Sequence, residues 1–175
     1  MWDWSLEPTA SLYHTANSLE PLHVQFDYLK NTVSVVNDYY RTFTGYKVTA
    51  QVYDIHSRKV FEAATTIDLP EDGVVNDVLT IRFPEDISQV HFIKLWLKDE
   101  KGKDVSSNFY WRSNDKYEGS KTLTGPASSG FETLNRLKAA QVKLSYKTRR
   151  ANGRYFVDID LKNASREIAF FQQLQ

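Results

Sequence analysis

Apolar and polar residues alternate along most of this chain. From Leu22 onward, Leu22, Val24, Phe26 and Tyr28 share one parity, and His23, Gln25 and Asp27 the other. A two-residue period sends successive side chains to opposite faces, so this stretch predicts a strand with one dry and one wet side. Lys30-Asn31 marks a turn, after which Val33 and Val35 resume the apolar face. The pattern returns in Tyr46, Val48, Ala50 and Val52, and again in Phe61, Ala63, Thr65, Ile67 and Leu69. Leu79, Ile81 and Phe83 follow, then Ile93, Leu95 and Leu97, then Val105, Phe109 and Trp111. Turn-forming residues punctuate the series at Thr44-Gly45, Ser57-Arg58, Pro70 to Gly73, Pro84 to Asp86 and Glu100 to Gly102. Seven short alternating strands over residues 22–112 predict an all-β, Greek-key sandwich of immunoglobulin type, without the cysteine pair many such sandwiches carry.

Both flanks change character. Thr9 to Ser18 predicts a helix, with Pro8 near its start and Glu20-Pro21 ending it, because proline restricts the residue before it. Trp2, Trp4, Leu6, Leu12 and Tyr13 crowd apolar surface into this short segment. It reads either as a terminal helix packed on the sandwich or as the last piece of a preceding domain. Residues 113–140 are rich in Ser, Thr, Gly, Lys and Asn and read as a linker, anchored at its far end by Phe131, Leu134 and Leu137. A second strand series follows: Val142, Leu144 and Tyr146; Tyr155, Val157, Ile159 and Leu161; and Ile168 with Phe170. Asn152-Gly153 supplies its hairpin turn. The series weakly copies the opening of the first domain, since in both a strand, a turn and a second strand end at an asparagine, Asn37 and Asn163. Three strands are too few for two sheets. Either they pack on the first domain or residues 141–175 begin a second, truncated sandwich, the reading expected here.

Composition removes function classes rather than adding one. Lys plus Arg and Asp plus Glu both number 22, so the chain lacks the basic excess that phosphate neutralisation asks of a nucleic-acid partner. No apolar run approaches a membrane span of about 20 residues. No signal peptide is read at the N-terminus, which opens on Trp2, Asp3 and Trp4. With no cysteine, disulfides and thiolate metal sites are excluded. The four histidines, His14, His23, His56 and His91, share no ligand spacing; His23 and His91 meet only if their strands pair, so no metal is expected. Glu62, Asp68, Glu71 and Asp72 sit on polar strand faces or turns and read as solvated charge rather than the facing carboxyls of glycoside cleavage. Gly119-Ser120-Lys121-Thr122 lacks the earlier glycine of a phosphate loop, and no Gly-x-Ser-x-Gly elbow occurs. Asn163-Ala164-Ser165 is a formal glycosylation triplet. Trp96 and Tyr110, each opposite its strand's apolar set, are the candidates for stacking on a sugar ring or on a neighbouring domain. Catalytic, cofactor-binding and metal-binding residues are all expected to be none.

Several stretches resemble one region of glycoside hydrolase family 2, in its exo-β-glucosaminidase and β-mannosidase branch. They are Trp4 to Tyr13, Glu20-Pro-Leu-His-Val-Gln-Phe-Asp-Tyr28, Val33 to Asn37, Lys47 to Tyr53, Ile93 to Asp99, Val105 to Trp111, Phe131-x-x-Leu134-Asn135-x-Leu137, Asn163, and Ile168 to Phe171. The resemblance implies that residues 1–20 are the tail of a preceding (β/α)8 catalytic barrel and that 21–112 form an immunoglobulin-like β-sandwich. Residues 113–140 would then be a linker and 141–175 the start of a second sandwich. It places the family's catalytic glutamates in the barrel, outside this chain, and implies a parent hydrolase that uses no cofactor and is periplasmic or secreted. The expected role is a non-catalytic accessory region bracing the barrel, with that barrel and the parent's other domains as partners and carbohydrate as a further one. The alternative is a stand-alone carbohydrate-binding or adhesion module.

Overall fold

The computed structural model describes residues 8–114 and 129–170, together with Trp4. Helix α1 (Ala10–Ser18) comes first, as the sequence predicts, with Thr9 at its N-cap. Seven strands follow: β1 (Leu22–Asp27), β2 (Thr32–Asn37), β3 (Phe43–Asp54), β4 (Lys59–Leu69), β5 (Gly73–Thr80), β6 (Val90–Lys98) and β7 (Asp104–Ser113). A 3-10 helix (Ser129–Arg136) precedes a hairpin of β8 (Val142–Ala151) and β9 (Arg154–Asn163).

The seven strands form two antiparallel sheets, β1-β2-β5 and β4-β3-β6-β7. Their facing sides close over one core. Val24, Val33 and Val35 come from the first sheet, and Val48, Ala50, Val52, Ile93, Leu95 and Leu97 from the second, all fully buried. This is the immunoglobulin-like sandwich the alternation demands, because each sheet has one apolar face and buries it only against another.

Two irregularities change which side chains enter the core. Leu97 pairs with Ser106 and Lys98 with Asp104, so Val105 is an extra residue in β7. A bulge of this kind reverses the parity beyond it. Val105 and Tyr110 pack against the core. Phe109, opposite Lys94, and Trp111, opposite Phe92, are turned to the outer face. The expected dry face of Val105, Phe109 and Trp111 is thus corrected, and Tyr110 is no exposed platform. In β5, Leu79 pairs with Val33 and Val75 with Val35, so residues 76–78 oppose Ser34 alone. The expected strand at Leu79, Ile81 and Phe83 lies earlier, at Gly73–Thr80. The extra residues satisfy two buried hydroxyls: Thr32 donates to Asp77 at 2.6 Å and Ser34 to Asn76 at 3.2 Å.

At the open edge of β1, side chains of β7 replace a strand partner. Ser106 accepts from the Val24 N–H at 3.3 Å and Tyr110 from the Phe26 N–H at 3.2 Å, while Asn108 donates to the Val24 carbonyl at 3.2 Å. Edge strands expose unpaired backbone groups, and these three residues cover them. His23, expected on the wet side of β1, is buried there. Its Nε2 lies 3.3 Å from the Asn108 amide and its Nδ1 3.8 Å from Glu20. Tyr28, expected on the dry side, is half exposed in the turn. It packs edge-on against Phe26 and Tyr110.

Beyond the sandwich, Phe131, Leu134 and Leu137 are half-buried, and the rest of the expected linker, residues 115–128, lies outside the described residues. Hairpin β8–β9 turns at Asn152-Gly153, both at positive φ, as predicted. The expected third strand at Ile168 and Phe170 is instead a loop lying on the four-stranded sheet. Its Ile168 N–H donates to the Ser57 hydroxyl at 2.9 Å, so its backbone bonds to a turn and not to a ladder.

Candidate functional site

The outer face of the four-stranded sheet carries a groove of about 660 Å³. Its floor follows from the β7 bulge, which turns Phe109 and Trp111 outward beside Tyr53 and Lys94 of the neighbouring strands. Phe170 closes one end, with ring centroids 5.4 Å from Phe92 and 5.5 Å from Trp111. Helix α1 forms one wall, and His14 meets the Trp111 ring at 6.2 Å. A second groove of about 450 Å³ lies on the other side of β7, where His14, Ser18, His23, Gln25 and Asn108 stand among aromatic rings.

Most polar groups here are already engaged. Asn108 bonds Val24 and His23 and receives the Phe109 N–H at 3.2 Å. Asn163, on the rim of the larger groove, donates to the Glu167 carbonyl at 2.6 Å and accepts the Ser165 N–H at 3.0 Å. Tyr53 donates to Gln51 at 2.7 Å. Among the described residues, neither groove is lined by an Asp or Glu. No group of three His, Asp or Glu side chains among them has metal-binding geometry. The surface is built to hold polypeptide: it takes α1 on one side and the loop after β9 on the other.

The sequence candidates separate. Trp96 is on the outer face, as expected, and the Lys94 ammonium sits 4.4 Å from its ring centroid. Tyr110 is partly buried against the core, and that burial pushes its phenol above the ordinary range. His23 and His91 lie on strands of different sheets and are not brought together; His91 packs against Phe83 at 5.0 Å. Burial drives the His91 imidazole down to about 4. Glu62 pairs with Lys59 and accepts from Gln51, which holds its carboxyl low. Asp68 accepts the Gly45 N–H, and Glu71 and Asp72 are exposed in the β4–β5 turn. Gly119 to Thr122 lies outside the described residues. The sequence reading missed the Glu20, Ser106 and Asn108 clip. Its signal was the polar run Ser106-Ser107-Asn108 inside a strand otherwise read as apolar.

Residues 30–117 match the Mannosidase Ig/CBM-like domain, and this span covers the strands from the β1–β2 turn through β7. The chain belongs to that family. An exo-β-D-glucosaminidase from Amycolatopsis orientalis is 25% identical over 114 residues, which is 65% of this chain and 11% of the relative. One from Arthroderma benhamiae is 24% identical over 182 aligned residues, covering 99% of this chain and 20% of the relative. Among solved structures, the exo-chitosanase CsxA of Amycolatopsis orientalis, in complex with PNP-β-D-glucosamine, superposes with a TM-score of 0.80 at 24% identity. That superposition covers 94% of this chain and 20% of CsxA, and it shows the same fold. The chain spans between a tenth and a fifth of the length of these curated relatives. The resemblance read from the strands therefore holds: this is a Mannosidase Ig/CBM-like sandwich whose relatives are exo-β-D-glucosaminidases.

Proposed function

We propose that this chain is the non-catalytic accessory region of a family 2 exo-glycosidase acting on β-glucosaminides or β-mannosides outside the cytoplasm, and that it braces the catalytic barrel. The carrying observation is α1. The helix buries none of its residues, and Tyr13 is left 62% exposed. Yet its C-terminal end is fixed through Glu20, which accepts from Ser106 at 2.9 Å and faces His23. A helix held this firmly at one end, with its outer side bare, suits a connection to a larger body. Residues 1–20 are then the tail of that barrel, 21–112 the sandwich, 113–140 the connection, and 141–175 the opening of a second sandwich.

The second sandwich rests on a repeated device. Asn37 accepts the Tyr39 N–H at 3.0 Å and donates to the Arg41 carbonyl at 2.9 Å. Asn163 does the same two and four residues on, with Ser165 and Glu167. Asn37 shares its face with the core positions Val24 and Val35, and Asn163 shares its face with Leu144 and Leu161. Strand β8 with β9 therefore repeats the design of β1 with β2.

The test is direct. This chain is expected to release no nitrophenol from nitrophenyl β-glucosaminide or β-mannoside above a buffer blank. Added to an exo-glucosaminidase barrel lacking its own sandwich region, it is expected to slow heat inactivation. Turnover by the chain alone, or no protection of the barrel, overturns the proposal.

A further inference from the structure

The edge strands of the sandwich are not protected alike. On one side β1 and β7 close on each other: Ser106, Asn108 and Tyr110 occupy backbone groups of β1, and β7 bulges at Val105. On the other side β5 bulges over residues 76–78, where Asn76 and Asp77 take the hydroxyls of Ser34 and Thr32. Side-chain cover and bulges are the usual means of keeping a sheet edge from pairing with another chain. Strand β4 has neither along its middle. From Phe61 to Ile67 its register with β3 runs without a break. Glu62 is the one charge in that run, which holds no proline or glycine. Its strand neighbour is β3 alone, and among the described residues no backbone group of residues 61–67 bonds to the backbone of any other element. Every second residue of such a strand aims its N–H and C=O away from its partner, and these groups are strong, obligatory bonders.

The side chains of β4 say what fits that edge. Phe61, Ala63, Thr65 and Ile67 pair with Val52, Ala50, Val48 and Tyr46, all core residues, and so face inward. Glu62, Ala64, Thr66 and Asp68 are exposed on the outer face. Two copies that pair antiparallel about a twofold axis set inner face beside inner face and outer beside outer. Charge and shape then select one register. With Thr65 on the axis Glu62 meets Asp68, and with Glu62 on the axis it meets itself, so both oppose like charges. Ala63 on the axis sets Phe61 against Thr65. Ala64 on the axis sets Phe61 against Ile67, Ala63 against Thr65 and Glu62 against Thr66. It also brings Lys59, on the outer face opposite Tyr53, beside Asp68 of the second copy. Asp68 forms no ion pair within the described residues.

We propose that β4 is a pairing edge for a second copy of this chain, the two strands joining antiparallel with Ala64 on the twofold axis. The pairing makes one continuous sheet of two four-stranded ones and satisfies the outward backbone groups of both copies. Edge pairing covers little area, so the association is a weak one, in the micromolar range.

The experiment is sedimentation equilibrium of the 175-residue chain from micromolar to millimolar concentration. The expected result is a monomer–dimer equilibrium that weakens about fivefold or more on Ala64→Lys, which sets two like charges against each other on the axis. The chain has no cysteine, so single substitutions read the register directly. Thiols introduced by Ala64→Cys lie directly opposite, with Cβ atoms about 5 Å apart. Those introduced by Thr66→Cys are four residues apart along the strands, about 13 Å, beyond disulfide reach. Under mild oxidation Ala64→Cys should give covalent dimer at least about tenfold faster than Thr66→Cys. Both positions are exposed, so folding is preserved, and circular dichroism checks it. A chain that stays monomeric at millimolar concentration, a dimer indifferent to Ala64→Lys, or faster oxidation at position 66 overturns the pairing edge. So does a dimer abolished by Tyr146→Lys alone, which would mean that the copies meet on the second hairpin. None of these results touches the turnover and heat-protection tests of the accessory reading.

Discussion

Hairpins β1–β2 and β8–β9 are built alike and end differently. Each presents an apolar face: Leu22, Val24, Phe26, Val33 and Val35 in the first, and Val142, Leu144, Tyr146, Ile159 and Leu161 in the second. Each is tied off by an asparagine with the same two bonds. The first face is buried under the four-stranded sheet, with Val24, Val33 and Val35 at zero exposure. In the second, Leu144 is 52%, Tyr146 66% and Ile159 47% exposed. Local pattern therefore fixes the hairpin and its asparagine clamp. Burial, and with it most of the stability, is conferred by the sheet that covers the face.

The sharpest test of that contrast compares equivalent positions. Phe26→Ala, in the covered hairpin, is expected to lower the unfolding free energy by about 3–5 kcal/mol. Its counterpart Tyr146→Ala should cost less than about 1 kcal/mol, because the side chain is largely in water already. Urea unfolding of the two variants decides it, and equal losses would mean that the second hairpin carries a core of its own.

Acid should act on one region only. His91 sits fully buried in the first sandwich with its imidazole held near 4, against an ordinary 6.5, while residues 142–163 contain no histidine. A depressed imidazole means that the unfolded chain binds the proton first. Stability from this group is complete above about pH 6.5 and is lost as pH falls toward 4, by on the order of 2–3 kcal/mol. The urea midpoint should drop across that window in the parent chain and much less in His91→Leu. An unchanged slope in the variant would remove His91 as the cause.

The asparagines offer a finer comparison. Asn37 is buried and makes a third bond, to the Pro70 carbonyl at 2.6 Å, so Asn37→Ala should cost about 2–3 kcal/mol through stranded backbone groups. Asn163→Ala, at an exposed clamp, should cost about 1 kcal/mol or less. Smallest of all, Ser57→Ala deletes the acceptor of the Ile168 N–H and should cost about 0.5–1 kcal/mol. Its signature is faster amide exchange after β9 with the sandwich core unchanged.

Helix α1, seven strands and the Asn152-Gly153 hairpin were legible because each rests on short-range signals: period, caps and turn residues. The errors share one physical cause. The bulge at Val105 reverses the faces of β7, so Tyr110 goes in and Phe109 and Trp111 go out; period-two counting has no term for an inserted residue. The bulge opposite Ser34 likewise moved β5. His23 was read as wet because a strand's polar parity faces water only when nothing lies across its edge, and here Asn108 and Glu20 do. The groove at Trp111 escaped notice for the same reason, since its walls come from residues 14, 53, 111 and 170.

Alternation by itself determined that this chain makes paired antiparallel sheets around an aliphatic core, since burying one face of each strand leaves few other arrangements. Tertiary structure alone decided which polar residues are buried, which aromatic rings face outward, and which of two similar hairpins is covered. Those outcomes depend on contacts between segments far apart in the chain, and the identity of a residue's neighbours in sequence carries no record of them.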